Sequence, residues 1–502
     1  MVGNNVNQIS SHRVGYTGTN LIADNIFTVN NTANVVSDVD ETTRKRIVGV
    51  FADLGLGYKD FLYLNATARN DWSSTLPQSD NSFLYPSVST SFIFTEALGI
   101  SNDILSYGKI RGGWANVSRD ADPYQINKIF TVGTVYSGQP SVFVPTTLGN
   151  PNLSPENTEE FEVGIDLELF NKRAIVDFTW YQKTTTDLIS EVNVPTSSGY
   201  TSLLTNIGEM ENKGIEVGLT LIPVRTDNFK WSTFTSFTKN KNVVNKLIEG
   251  LDRFPIDVNQ IAFVDEGEAF GVFYGTAFMR DDEGNYLIEQ SEGGILQALD
   301  NQVVGDPNPD FKIGFTNTFK YKTLSLQAQL DWKEGGDISS SGIAALLGRG
   351  VTKDTEDRER TFILPGFYGN PTTGEPILDG SGNKIPNTTQ MTMNNLYFSP
   401  TNSNTFGINS VDEATIYDGT VFRLREIALA YEVPKKFLDK TFIGGMTFSV
   451  VGNNLWYFAP NVPKYTNFDP DVTAYGSGNL QGIETQSAPS SKRFGFKLNV
   501  TF

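Results

Sequence analysis

The sequence predicts an all-β fold, a transmembrane antiparallel β-barrel, on three observations: strict apolar and polar alternation in repeated segments, a short-long rhythm of connections, and a composition rich in glycine and aromatics. No apolar run reaches the ~18 residues that a membrane-crossing helix needs. With 46 Gly, 35 Phe and 19 Tyr beside only 19% charged residues, the balance favours strands over helices. A length of 502 residues ordinarily means several soluble domains, but a single closed sheet escapes that limit.

Alternation is clearest over residues 161 to 169, where Phe161, Val163, Ile165, Leu167 and Leu169 share one face and Glu162, Asp166 and Glu168 the other. After Asn171-Lys172-Arg173 the pattern resumes with Val176, Phe178 and Trp180 against Asp177 and Thr179, which predicts a hairpin. Leu324, Leu326, Ala328, Leu330 and Trp332 likewise alternate with Ser325, Gln327, Gln329 and Asp331. About fourteen such segments lie near 10–23, 45–58, 60–70, 86–97, 107–117, 158–170, 173–185, 208–222, 228–240, 311–321, 323–333, 420–433, 445–457 and 491–502. Many approach the ~9–11 residues of a tilted strand that crosses a bilayer.

Counting back from a last strand that runs inward, the connections alternate in length. Short inner turns are expected at 434–444, 322, 223–227, 171–172, 98–106 and 59, and long outer loops at 458–490, 334–419, 241–310, 186–207, 118–157, 71–85 and 24–44. A soluble sandwich has no reason for that rhythm, whereas a membrane barrel has periplasmic turns and longer extracellular loops. The last strand sets Phe494, Phe496, Leu498, Val500 and Phe502 on one face and ends on an aromatic residue, which reads as an assembly signal for an outer-membrane barrel.

Charge and composition remove other classes. A net charge of −18 argues against nucleic acid as a partner. The absence of Cys and the single His12 make thiolate metal sites, His-based zinc and a Ser-His-Asp triad poor expectations. The opening MVGNNVNQIS lacks the sections of a secretory signal peptide, so the true beginning of the chain is expected upstream.

Seven motifs in order then resemble one family. They are YLNATARNDWSSTLP with FLYPSVSTSF (63 to 92), YGKIRGGWANVS (107 to 118), NPNLSPENTEEFEVGIDLELFNKR (150 to 173), NIGEMENKGIEVGL (206 to 219), GDPNPDFKIGFTNTFKYK (305 to 322), FRLREIALAYEVP (422 to 434) and TFSVVGNNLW (447 to 456). Together they resemble the SusC/RagA class of TonB-dependent (TonB-linked) outer-membrane transporters. The resemblance implies a barrel of about 22 strands with a plugged lumen, a TonB-box segment, and a SusD-like surface lipoprotein as a lid. It implies nutrient uptake of oligosaccharides or peptides, powered through TonB.

On that pattern residues 1–502 are expected to be the C-terminal part of the receptor barrel, about fourteen of about 22 strands, without plug domain or signal peptide. Open edges are costly in lipid. The chain is therefore read first as a truncated part, with a split subunit or a smaller self-closing barrel as the other possibilities. The expected function is active import; a passive porin-like channel is the alternative, and a soluble adhesive β protein a third reading.

Site chemistry is sparse. The polar residues Asn65, Arg69, Lys109, Arg111, Glu162, Asp166, Gln327 and Gln329 are expected to face the lumen, most of them solvating it or pairing across strands. Loop aromatics Tyr136, Phe143, Phe273, Tyr274, Phe367 and Tyr368 have two readings, ligand stacking or packing. Asp281, Asp282, Glu283 and Asn285 around Gly284 match a calcium loop poorly and read as a solvated turn. Asp306-Pro307-Asn308-Pro309 reads as a rigid strand entry, and Glu159-Glu160 has no nucleophile beside it. No catalytic residue, metal site or cofactor is expected.

Overall fold

In the computed structural model the alternating segments form fourteen long strands. Residues 1–100, 102–127, 130–132, 139, 141–257, 259–398, 406, 410–476 and 478–502 are described. The strands are β1 (Val2–Leu21), β2 (Thr32–Tyr58), β3 (Leu62–Ser73), β4 (Ser82–Phe92), β5 (Leu105–Arg119), β6 (Glu156–Leu169), β7 (Ala174–Thr186), β8 (Gly208–Arg225), β9 (Phe229–Leu247), β10 (Pro309–Tyr321), β11 (Leu324–Gly335), β12 (Val421–Glu432), β13 (Gly445–Phe458) and β14 (Arg493–Thr501). Each neighbours the next in one sheet, the order running from β1 to β14. The meander follows from hairpin connections, since antiparallel neighbours need only a tight turn. Several of those turns place non-glycine residues in the left-handed region, as at Lys59 and Asp60, Asn171 and Lys172, and Lys322.

Two compact units divide the chain. One comprises Met1–Phe92, Arg111–Glu162 and Lys183–Met210. Within it Leu54 lies opposite Ala66, and Arg69 opposite Tyr85. Its apolar cluster joins Leu76, Phe83, Ala121, Leu153 and Leu204, at the loop end of the strands. The second comprises Ile93–Ile110, Val163–Gln182 and Glu211–Phe502. Its clusters also sit among loop residues, around Ile338, Ile343 and Leu347, around Ala262, Phe273 and Ile483, and around Met279, Leu287 and Leu296.

Three boundaries differ from expectation. The segment 86–97 ends as a strand at Phe92, and Phe94–Ala97 forms a helical turn. There Thr95 Oγ1 accepts from the Gly108 amide at 3.1 Å, and the Phe94 ring lies where a Cβ on Gly108 would stand. The loop 24–44 shrinks to residues 22–31, and 71–85 to 74–81, because β2 to β4 continue outward beyond their alternating cores, while β1 gains Val2 to Ile9 at its other end. The length rhythm is therefore less strict than the alternation implies: the connections 93–104 and 433–444 are longer than 74–81. From β5 onward, the connections 120–155, 187–207, 248–308, 336–420 and 459–492 stay long.

The long loops are built structures. Ser341–Gly348 is a helix whose N-cap, Ser340, accepts the Ile343 amide. Residues 277–298 and 366–386 each fold into a double hairpin, joined where Leu287–Ile288 pairs in parallel with Phe367–Tyr368. Their four turns share one device. The side chains of Asp281, Glu289, Asn370 and Asp379 accept the backbone amides that follow them, and Gly284, Gly293, Gly374 and Gly382 supply φ between +75° and +86°.

Candidate functional site

The two faces of the sheet differ in chemistry. One face carries exposed apolar side chains: Leu54 is 55% exposed, Phe161 47%, Leu326 38% and Phe496 78%. Burying such a side chain is worth about 1.5–3 kcal/mol. Rows of them left in water would outweigh the ~5–15 kcal/mol that holds a soluble domain together. This face is fitted to hydrocarbon.

The other face is polar and braced by ion pairs. In the first unit the alternating Arg69, Asp71, Ser73 and Thr75 fall on that face, which explains the spacing of the RNDWSST stretch. Arg69 Nε donates to Asp71 Oδ1 at 2.8 Å and to Tyr85 Oη at 2.6 Å, and Tyr85 Oη donates to Asp71 Oδ2. Arg69 Nη2 reaches Asn5 at 2.8 Å. Asp120 accepts from Lys45 at 2.5 Å, from Thr75 at 3.1 Å and from Ser73.

In the second unit equivalent bracing lies at a β-bulge. Leu424 and Glu426 of β12 pair with Leu330 and Gln329 of β11, so Arg425 is the extra residue. Arg423 and Arg425, two residues apart, both reach carboxylates on the polar side. Arg423 binds Asp469 at 2.8 and 2.5 Å, and Arg425 binds Asp331 at 2.5 Å and Asp471 at 3.2 Å. Burial raises the pKa of Asp469, but hydrogen bonds and charge from Arg423 outweigh it and hold the carboxyl below its usual value. The loop 459–492 is thereby pinned to the polar side of the sheet.

Of the residues that sequence reading placed on this face, Lys109 pairs with Asp166, and Arg111 lies 3.9 Å from Glu162. Gln329 donates to Asp331 at 3.5 Å. Asn65 sits opposite Gly55 and Ser89, and Gln327 opposite Thr318 and Ala428. Asp71, Tyr85, Asp120, Arg423, Asp469 and Asp471 were not singled out, and Asp331 was read only as a polar alternation position. The signal for the last group was two arginines at alternate positions and a distant Asp469-Pro470-Asp471, joined only by the fold.

The loop aromatics mostly pack. Phe273 and Tyr368 are buried, Tyr368 Oη lies within 3.0 Å of the Thr388 and Thr389 hydroxyls, and Arg253 stacks on Tyr274 with 3.5 Å to its centroid. Phe367 packs against the Met279, Leu287 and Leu296 cluster, Phe143 is exposed, and Tyr136 lies outside the described residues. Asp281 is occupied within the protein, by the Glu283 and Asn285 amides and by Lys384 at 2.7 Å. Asp306 accepts from the Asn308 amide at 2.9 Å and side chain at 2.7 Å, bracing the entry to β10. Glu159 accepts from Trp114 Nε1 at 2.7 Å, and His12 meets Asp40 at 2.8 Å.

Of the last-strand residues, Phe494, Phe496, Leu498 and Phe502 are exposed and Val500 is half-buried. Phe496 stacks on Phe448 with centroids 6.2 Å apart, and Phe502 on Phe442 at 5.7 Å.

A family described as "TonB dependent receptor-like, beta-barrel" matches residues 2–257. TonB-dependent receptor P3 of Formosa agariphila is 28% identical over 91% of this chain and 45% of its own length. TonB-dependent receptor SusC of Bacteroides thetaiotaomicron is 23% identical over 92% and 44%. The chain thus spans about half the length of the curated relatives it matches. Among solved structures, one described as the RagAB peptide transporter shares the fold with a TM-score of 0.73 at 18% identity, over 100% of this chain and 53% of that one. The apolar face, the braced polar face and the match over residues 2–257 lead to one assignment: the chain belongs to the TonB-dependent receptor-like β-barrel family of the outer membrane.

Proposed function

We propose that this chain supplies barrel strands of an energised outer-membrane importer of oligosaccharides or peptides. Its partners on this reading are TonB and a SusD-like surface lipoprotein, with the plug and the TonB-contacting segment outside residues 1–502. The observation that carries the reading is the pairing of a hydrocarbon-fitted face with a polar face onto which loops are clasped, through Arg423 and Arg425 to Asp469 and Asp471. A conduit for polar cargo needs both. The family is one of transporters, and no catalytic step is assigned. Phe494, Phe496, Leu498, Val500 and Phe502 are read as the strand recognised during barrel assembly.

The test is uptake of labelled oligosaccharide and peptide by cells with and without the intact gene, in the presence and absence of TonB and of a protonophore. Uptake that needs the gene, TonB and the proton gradient is the expected result. Constitutive solute flux through the purified protein in liposomes would instead establish a passive channel.

A further inference from the structure

The helix Ser341–Gly348, β13 and two stretches of the loop 459–492 enclose a cavity of about 540 Å3. That size suits a small ligand. Its lining is largely apolar, with Ala345, Leu346, Val351, Phe468 and Val472 among its walls. The two carboxylates that line it are already engaged. Glu484, 2% exposed, accepts from Ser340 Oγ at 2.6 Å, the Gly342 amide at 2.9 Å and the Ser487 amide at 2.5 Å. Asp469 is held by Arg423.

Two cations, Arg349 and Lys492, also line the cavity, and neither has a carboxylate partner among the described residues. In a chain of net charge −18, the unneutralised charge of this cavity is positive. Asn454, Thr466 and Gln486 add hydrogen-bonding groups to the lining.

We propose that this cavity binds a short peptide through an apolar side chain, with its C-terminal carboxylate drawn by Arg349 and Lys492. The proposal rests on the import reading and names the cargo class at one subsite. Charge complementarity selects an anion, and the walls select an apolar body. An oligosaccharide would turn hydroxyls toward side chains that cannot hydrogen-bond them. A fatty acid would match walls and cations but leave the lining amides and hydroxyls unanswered, whereas a peptide backbone answers both.

Calorimetry on the full-length transporter in detergent tests this with four probes: the tetrapeptide Ala-Ala-Leu-Leu as free acid, its C-terminal amide, octanoate and maltotetraose. The free acid is expected to bind about tenfold more tightly than the amide, the worth of one charge-assisted hydrogen bond. The double variant Arg349→Gln, Lys492→Gln should erase that difference, and Val472→Trp should abolish binding by filling the cavity. Ala345→Phe replaces Val472→Trp if the latter fails to migrate as a folded barrel on unboiled gels. Equal affinity for acid and amide, octanoate binding as tight as the peptide, competition by maltotetraose, or peptide binding retained in the filled cavity overturns the proposal. Binding without energised uptake would strike only the import reading, and uptake without binding at this cavity would strike only the present proposal.

Discussion

Arg423 and Asp469 meet through two hydrogen bonds, Nη1 to Oδ2 at 2.8 Å and Nη2 to Oδ1 at 2.5 Å, with both side chains only 3% exposed. Removing one partner of a buried pair costs about 3–5 kcal/mol where it leaves the other charge unpaired, and here Asp471, 3.0 Å from Arg423, compensates in part. Asp469→Ala is therefore expected to lower stability against urea in lipid vesicles by up to that amount and to expose residues 459–492 to protease. The double variant Arg423→Met, Asp469→Leu is expected to recover most of the loss. A single variant as stable as the parent would show that the clasp does not hold the loop.

Gly214 answers to close packing. A Cβ there would stand 2.4 Å from the Tyr181 hydroxyl and 2.6 Å from the Lys239 carbonyl, whereas one on Gly55 meets nothing within 4 Å. Because Lys239 contributes backbone, no rotamer change relieves the clash. Gly214→Ala is expected to reduce the fraction of protein that migrates as a folded barrel without boiling, and Gly55→Ala to leave it unchanged.

The two faces of β11 make opposite predictions one residue apart. Leu326 is 38% exposed on the apolar face, and Gln327 lies on the other. An arginine facing lipid costs about 2–4 kcal/mol near the bilayer midplane. Leu326→Arg is expected to show a loss of that order in unfolding from vesicles, and Gln327→Arg almost none. Equal losses would contradict the assignment of faces.

The turn at Asp281 has a defined pH window. Burial raises its pKa, but hydrogen bonds from Lys384 and from the Asn285 backbone and side chain outweigh that and hold it at about 2. A folded pKa below the unfolded value near 3.9 stabilises the fold at higher pH and loses that contribution on acidification. Protection of the 277–298 hairpins from hydrogen exchange should therefore be complete above about pH 4 and fade as the pH falls toward 2. Asp281→Asn should flatten that dependence.

The membrane-spanning portions were legible because lipid on one side and polar contents on the other force period-two alternation; residues 161 to 169 needed no other information. The outward extension of β2 was hidden for the complementary reason. Around Asn34 and Ser37 the residues run Asn34, Val35, Val36, Ser37, a pattern without alternation, so nothing in the sequence marks the strand. The helix at 341–348 carried a serine cap and an apolar run, a readable signal inside a stretch taken as loop. The Arg425 bulge and the carboxylates it faces were out of reach, because a one-residue slip in register and a partner 46 residues away leave no local trace.

The loop clusters have an evolutionary consequence. Met279, Leu287 and Leu296 close their core among loop residues, as do Ile338, Ile343 and Leu347 with Val462, so these segments draw their cohesion from themselves. A lineage can exchange such a cassette whole without renegotiating the wall that carries it. Innovation in what is recognised then proceeds independently of the constraints that keep the wall seated in its bilayer.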